Sequence, residues 1–182
     1  MVDTISASAA PGWVARRLAG RTGTRWIGVD GLGASGKTTL ARRIAEALPE
    51  AVVVSVDDFA RAGQPGWDQA LFVAQVVEPV SAGRPGRYLR WDLLTDTAGT
   101  EVSVPAGVPV VVEGVSATDT AVPVPWDLTL WVETPLERRR ARIFARDDPA
   151  LWRRWQQEWW PSEEAYLARQ RPYERVDAVV LG

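Results

Sequence analysis

The chain has 182 residues, a net charge of −2, and 46% hydrophobic and 24% charged residues; that suits one domain (1–182) with a full core and lacks the basic excess of a general nucleic-acid binder. It contains no cysteine and no histidine, which excludes disulfides, His/Cys zinc sites, Ser-His-Asp triads and any histidine general base. Carboxylates remain as the acid–base groups, with tyrosine or Lys37 as distant candidates, and no run reaches the ~20 apolar residues of a membrane span.

The start, Met1-Val2-Asp3-Thr4-Ile5-Ser6, has no basic region of the signal-peptide kind, so the expected compartment is the cytoplasm. Pro11 opens a first helix carried by Trp13-Val14-Ala15-Arg16-Arg17-Leu18. Residues 25–30 read as a short buried strand and 39–48 as an amphipathic helix. Between them lies Gly31-Leu32-Gly33-Ala34-Ser35-Gly36-Lys37-Thr38, a complete G-x-x-x-x-G-K-[ST] loop. Strand, glycine loop and helix form the arrangement in which backbone N–H groups and a helix N-terminus cradle phosphate oxygens. Gly31, Gly33, Ala34, Ser35, Gly36 and Thr39 thus become candidate nucleotide contacts. Lys37 would reach the outer phosphates, and the Thr38 hydroxyl would ligate Mg²⁺. Lys37 is the only lysine, every other Lys+Arg residue of the 21 being arginine; a compact ammonium suits a cramped loop where a guanidinium fork does not. The implied ligand is a nucleoside triphosphate, with ATP and Mg²⁺ as the expected pair.

The apolar run 51–56 fits a parallel strand buried on both faces and stops at Asp57-Asp58-Phe59. Residues 67–77 have helical spacing, with Trp67, Leu71, Ala74 and Val77 on one side. The stretch 81–100, rich in Gly, Pro and Arg, is expected to be an irregular excursion holding Tyr88-Leu89-Arg90-Trp91-Asp92. Further strands follow at 108–112, ending in Glu113-Gly114, and at 128–132, with a last one at 176–181. A helix at 162–169 carries a capping signal at Ser162 with acids in its first turn. Strands alternating with helices predict an α/β fold of three layers, about five parallel strands with helices on both faces.

In such sheets ligands gather at the carboxyl ends of strands. Asp57-Asp58 stands at one such end, as chemistry or as a solvated turn. Glu113 stands at another, in the position of an acid that holds Mg²⁺ or its water, or as a plain strand-ending glutamate. After Pro135 comes Glu137-Arg138-Arg139-Arg140-Ala141-Arg142-Ile143-Phe144-Ala145-Arg146-Asp147. At about 100° per residue Arg139, Arg142 and Arg146 lie within about 60° of one another, and a phosphate is the anion that such a face would fit, a solvated face paired with acids being the alternative. Trp152, Trp155 and Trp159 share a helical face, which favours core or lid packing over ligand stacking.

These segments together resemble the uridine kinase-type P-loop small-molecule kinases: Gly28-Val29-Asp30 with the glycine loop, Ser55-Val56-Asp57-Asp58-Phe59, Val111-Val112-Glu113-Gly114, and the 139–147 segment, over about residues 26–181. The resemblance implies a kinase with Asp57 as base for the acceptor hydroxyl, Phe59 in the same acceptor segment, Glu113 near Mg²⁺, and Arg139, Arg142 and Arg146 in a short arginine-rich lid (about 137–160) that closes over the phosphates. Tyr88, Trp91 and Asp92 are candidates for the acceptor pocket, or packing residues. The histidine that uridine-cytidine kinases place near the pyrimidine has no counterpart here. A nucleoside is the leading acceptor; pantothenate, a sugar or another small alcohol, and an acceptor-independent ATPase switch, are the alternatives. The expected partners are a nucleoside triphosphate and a small-molecule acceptor, with no nucleic acid and no membrane, a homo-oligomer being one open arrangement.

Overall fold

The apolar runs become parallel strands because successive residues point to opposite faces of a sheet that is covered on both. In β2 (Arg25–Gly31) and β6 (Pro109–Gly114), Ile27, Val29 and Val111 enter one core while Trp26, Val110 and Val112 enter the other. The first core is closed by α1 (Ala10–Leu18) and α2 (Lys37–Glu46) through Trp13, Val14, Leu40 and Ile44. The second is closed by Phe59, Phe72, Val76 and Tyr88. The computed structural model describes residues 2–61, 66–92, 97–146 and 149–182, without the side chains of residues 146, 149 and 150. Among the described residues no helix is long and apolar enough to cross a membrane.

Six strands form the main sheet, all parallel, in the order β1-β8-β7-β2-β6-β3. The remaining members are β1 (Asp3–Ser6), β3 (Val52–Ser55), β7 (Leu128–Glu133) and β8 (Ala178–Leu181). From β2 the chain crosses to β3 at one edge, then returns through β6 to β7 on the other side of β2. The direction of winding thus reverses beside β2, and the crevice at that reversal is where an open α/β sheet takes its ligand.

Four features depart from the sequence reading. The sheet has six strands where about five were expected; the extra one is β1, four residues whose alternating burial gives too short a pattern to register. The segment expected to be irregular is an antiparallel hairpin of β4 (Gly86–Asp92) and β5 (Thr97–Val104), in which Tyr88 turns inward and Arg87 pairs with Glu101 across the strands at 3.1 Å. Pro85 and Gly86 stand at the start of β4 and Gly99 inside β5, and the strand residues around them were hidden by that composition. The capping box at Ser162 does not form. The helix runs on from α6 (Pro149–Arg154) through a wider π-type turn at Trp155–Trp159 into α7 (Trp160–Gln170), so Ser162 lies inside a helix already begun. The helix after Asp68 likewise widens, at Val73–Val77, between α3 (Gln69–Phe72) and α4 (Glu78–Ser81).

Candidate active site

Register brings the strand-end residues together. Glu113 pairs with Val29 on one side and with Ser55 on the other. Two residues beyond those partners come Gly31, the first glycine of the loop, and Asp57. The loop then turns into α2 at Gly36, whose φ of 100° is open to glycine and strained for other residues. Lys37, 8% exposed, is the first residue of α2, and its Nζ makes one long contact, 3.4 Å to the Leu32 carbonyl. Gly36 and Lys37 line a cavity of about 1680 Å³ that also receives Gly33, Ala34, Ser35, Thr38, Thr39, Asp57 and Arg142; Gly31 and Glu113 lie behind its wall.

Thr38 Oγ1 donates to Glu113 Oε2 at 3.0 Å. Glu113 is 3% exposed, and burial pushes its carboxyl above the usual range, with Lys37 pulling it down and Asp57 pushing it further up. A buried carboxylate beside a hydroxyl at the loop is a donor set of the hard-oxygen kind that Mg²⁺ takes together with water and phosphate oxygens. The residues therefore fit Mg²⁺ through Thr38 and Glu113. Among the described residues no group of three or more carboxylates is placed to hold a metal ion. Two buried polar atoms around the loop, Ser35 Oγ and Trp155 Nε1, have no hydrogen-bond partner among the described residues.

Because β3 ends in a 3₁₀ turn, Val56–Phe59, rather than continuing extended, Asp57 and Asp58 both border the cavity but differ in exposure and partners. Asp57 is exposed to the cavity, and among the described residues no side chain hydrogen-bonds to it. Asp58 is 9% exposed, accepts the Tyr88 hydroxyl at 2.8 Å and pairs with Arg90 at 3.2 Å. Burial and the Asp58 charge both push the Tyr88 hydroxyl up, so it remains a donor. Of the expected acceptor residues, Trp91 and Asp92 line the cavity. Phe59 and Tyr88 do not: they are 1% and 2% exposed, with ring centroids 4.7 Å apart at a tilt of 37°, and Phe72 is edge-on at 5.3 Å from Phe59. Aromatic packing under the strand ends takes both rings into the core. Sequence reasoning overlooked Trp67 and Arg61 in this wall; Arg61 lies 4.4 Å over the Trp91 ring, and Trp67 Nε1 donates to Ser116 Oγ at 3.0 Å.

In α5 (Leu136–Arg146) the arginines divide. Arg142 is exposed and donates to the carbonyls of Ala34 and Ser35, each at 3.0 Å. Arg139 is 7% exposed and pairs with Glu163 at 3.2 Å. The Arg146 side chain and Asp147 lie outside the described residues. The tryptophan stripe packs on itself: Trp155 is buried against Trp152 at 5.4 Å and Trp160 at 4.9 Å, while Trp155 and Trp159 also border the cavity.

Asp30, fully buried at the end of β2, is a node that sequence reasoning missed, although an acid in an apolar strand immediately before the glycine loop is a visible signal. It accepts from the amides of Gly31 at 2.7 Å, Ser116 at 3.0 Å and Thr118 at 3.0 Å, and from the hydroxyls of Thr118 at 2.7 Å and Tyr166 at 2.6 Å. Burial pushes its carboxyl up, and the hydrogen bonds pull it back. Asp30→Asn turns an NH₂ toward a donor, and the expected loss of stability is about 2–4 kcal/mol, read from the denaturant midpoint. A midpoint equal to that of the unaltered chain would show that the node is slack.

The fold is shared with solved structures that are named as kinases. A possible uridine kinase from Bacillus stearothermophilus is 22% identical, with 95% of this chain and 98% of that one covered and a TM-score of 0.73. A candidate fructose transport system kinase from Silicibacter sp. is 24% identical, with 96% and 98% covered and a TM-score of 0.73. No protein-family model matches the sequence, and no curated protein matches it either. At these identities the likeness is one of fold, and it agrees with the resemblance carried by the motifs.

Proposed function

We propose that the chain is an ATP- and Mg²⁺-dependent kinase that transfers the γ-phosphoryl group to a hydroxyl of a small metabolite, with a nucleoside as the leading acceptor. The observation that carries this reading is the meeting, in one cavity, of Lys37, Thr38 with Glu113 bonded behind it, and the carboxylate of Asp57, to which no side chain among the described residues hydrogen-bonds. The loop amides and Lys37 hold the outer phosphates. Thr38 and Glu113 would hold Mg²⁺, which would neutralise phosphate charge when bound. Asp57 accepts the proton of the acceptor hydroxyl as its oxygen bonds to the γ-phosphorus, and the bond from that phosphorus to the β-phosphate oxygen breaks to release ADP. Arg142, close to the loop, offsets charge on the moving phosphoryl group. By its helical spacing from Arg142, Arg146 is proposed for the same lid.

Trp91, Asp92, Trp67 and Arg61 give the acceptor wall aromatic faces with polar groups between them, a surface suited to a ring that carries hydroxyls. The two solved kinases are named for a nucleoside and a sugar. The deciding experiment is therefore a screen of nucleosides, sugars and vitamins such as pantothenate for acceptor-dependent ADP production. A nucleoside giving the highest kcat/KM is the expected result. ADP formation at one rate whatever the acceptor would replace the kinase by an ATPase.

A further inference from the structure

Gly33 is held from two sides at once. Its N–H donates to Glu163 Oε1 at 2.8 Å, its carbonyl accepts from Arg139 Nη1 at 3.3 Å, and Arg139 Nη1 donates to Glu163 Oε2 at 3.2 Å. These contacts close a ring about a single residue of the phosphate loop, through the peptide groups on either side of its Cα. The two side chains come from α5 and α7, on either side of the tryptophan-rich segment, so both ends of that segment grip the same loop residue. One helical turn beyond Glu163, the Tyr166 hydroxyl holds Asp30 at 2.6 Å. Helix α7 thus touches the chain just before and just after Gly31-Leu32.

Stability alone does not account for a pair placed there. The Arg139 and Glu163 side chains are 8% and 6% exposed, and two desolvated charges stabilise a fold no better than an apolar pair of the same volume. The space is kept for them at the loop's own expense: a Cβ on Gly33 would stand 2.7 Å from Glu163 Oε1 and 3.1 Å from Trp155 Nε1. Glycine at this position serves the approach of those side chains. Lys37 also acts on the Glu163 charge, so the clamp and the phosphate-binding lysine share one electrostatic neighbourhood.

We propose that Glu163 is a positioning residue for phosphoryl transfer: together with Arg139 it clamps Gly33 by its N–H and its carbonyl, so that the loop keeps its phosphate-binding shape only while α5 and α7 are docked on it. The proposal rests on the kinase reading above. Glu163 acts through Gly33 and Arg139, and docking of the lid and shaping of the loop become one event.

The test replaces both charges with apolar side chains, Glu163→Leu with Arg139→Met, because removing one alone strands a buried charge and can unfold the chain. Melting temperature, calorimetric ADP affinity, and kcat and KM with the best acceptor are measured. The double variant is expected to melt within a few degrees of the unaltered chain yet to lose about 10- to 100-fold in kcat, the scale of a small misplacement of reacting groups, with the acceptor KM within about twofold. Glu163→Gln and Arg139→Met singly, where folded, should each approach the double variant in kcat, since they serve one clamp. A folded double variant with unaltered kcat overturns the proposal, and so does one that fails to fold, which would make the pair a stabilising element. An unaltered chain that binds ADP but shows no acceptor-dependent turnover overturns the kinase reading instead. The clamp then stands or falls on nucleotide affinity, which should drop about tenfold in the double variant.

Discussion

Lys37→Ala is expected to abolish turnover and leave the fold standing. The lysine contributes little to the core: its ammonium makes a 3.4 Å contact with the Leu32 carbonyl, and its stem lines the cavity. Its charge acts on two buried carboxylates, Glu113 and Glu163, each of which it pulls down against burial. With phosphate bound, the same charge meets the β- and γ-oxygens, and the chain has no second lysine to take its place. Loss of one preorganised charge of this kind lowers kcat about 10²–10³-fold or more. Lys37→Arg should not rescue it, because a planar fork does not fit where a compact ammonium does. Acceptor-dependent ADP production checks both variants, and near-normal rates in either would remove Lys37 from the mechanism.

What the sequence could tell was set by how local each signal is. The glycine loop, its strand and its helix are contiguous, so the motif and its context were legible together, and register alone then carried Glu113 and Asp57 to it. The sequence reading set Asp57 against Asp58 by the alternation of an extended backbone, whereas their difference in exposure comes from a 3₁₀ turn and from Tyr88 and Arg90, some thirty residues on. Phe59 and Tyr88 were expected at the acceptor and lie in the core, because aromatic side chains near a site look the same in sequence whether they face the ligand or the packing beneath it. The Arg139, Arg142 and Arg146 face was visible from helical spacing. Its division into a buried partner for Glu163 and an exposed neighbour of the loop carbonyls was not, because nothing near Glu163 marks it as a contact for a residue 130 positions earlier. Long-range polar pairs of this kind leave no periodicity behind.

The two aspartates provide the sharpest separation of chemistry from structure. Asp57→Asn keeps shape and removes the proton acceptor, and a chain without histidine has no obvious substitute. The acceptor-dependent rate should fall about 10²–10⁴-fold, with the ADP affinity and melting temperature close to those of the unaltered chain, since among the described residues no side chain hydrogen-bonds to Asp57. Asp58→Asn should do the reverse. It weakens the acceptor for the Tyr88 hydroxyl and removes the charge that faces Arg90, so about 1–3 kcal/mol of stability is lost while the folded enzyme keeps its rate within a few-fold. Kinetics and thermal melts on the two variants with the best acceptor separate the outcomes. If Asp58 proves the position that carries the rate and Asp57 the tolerant one, the proton is taken one residue further along the turn, and the Tyr88–Asp58–Arg90 set becomes the catalytic base and its supports.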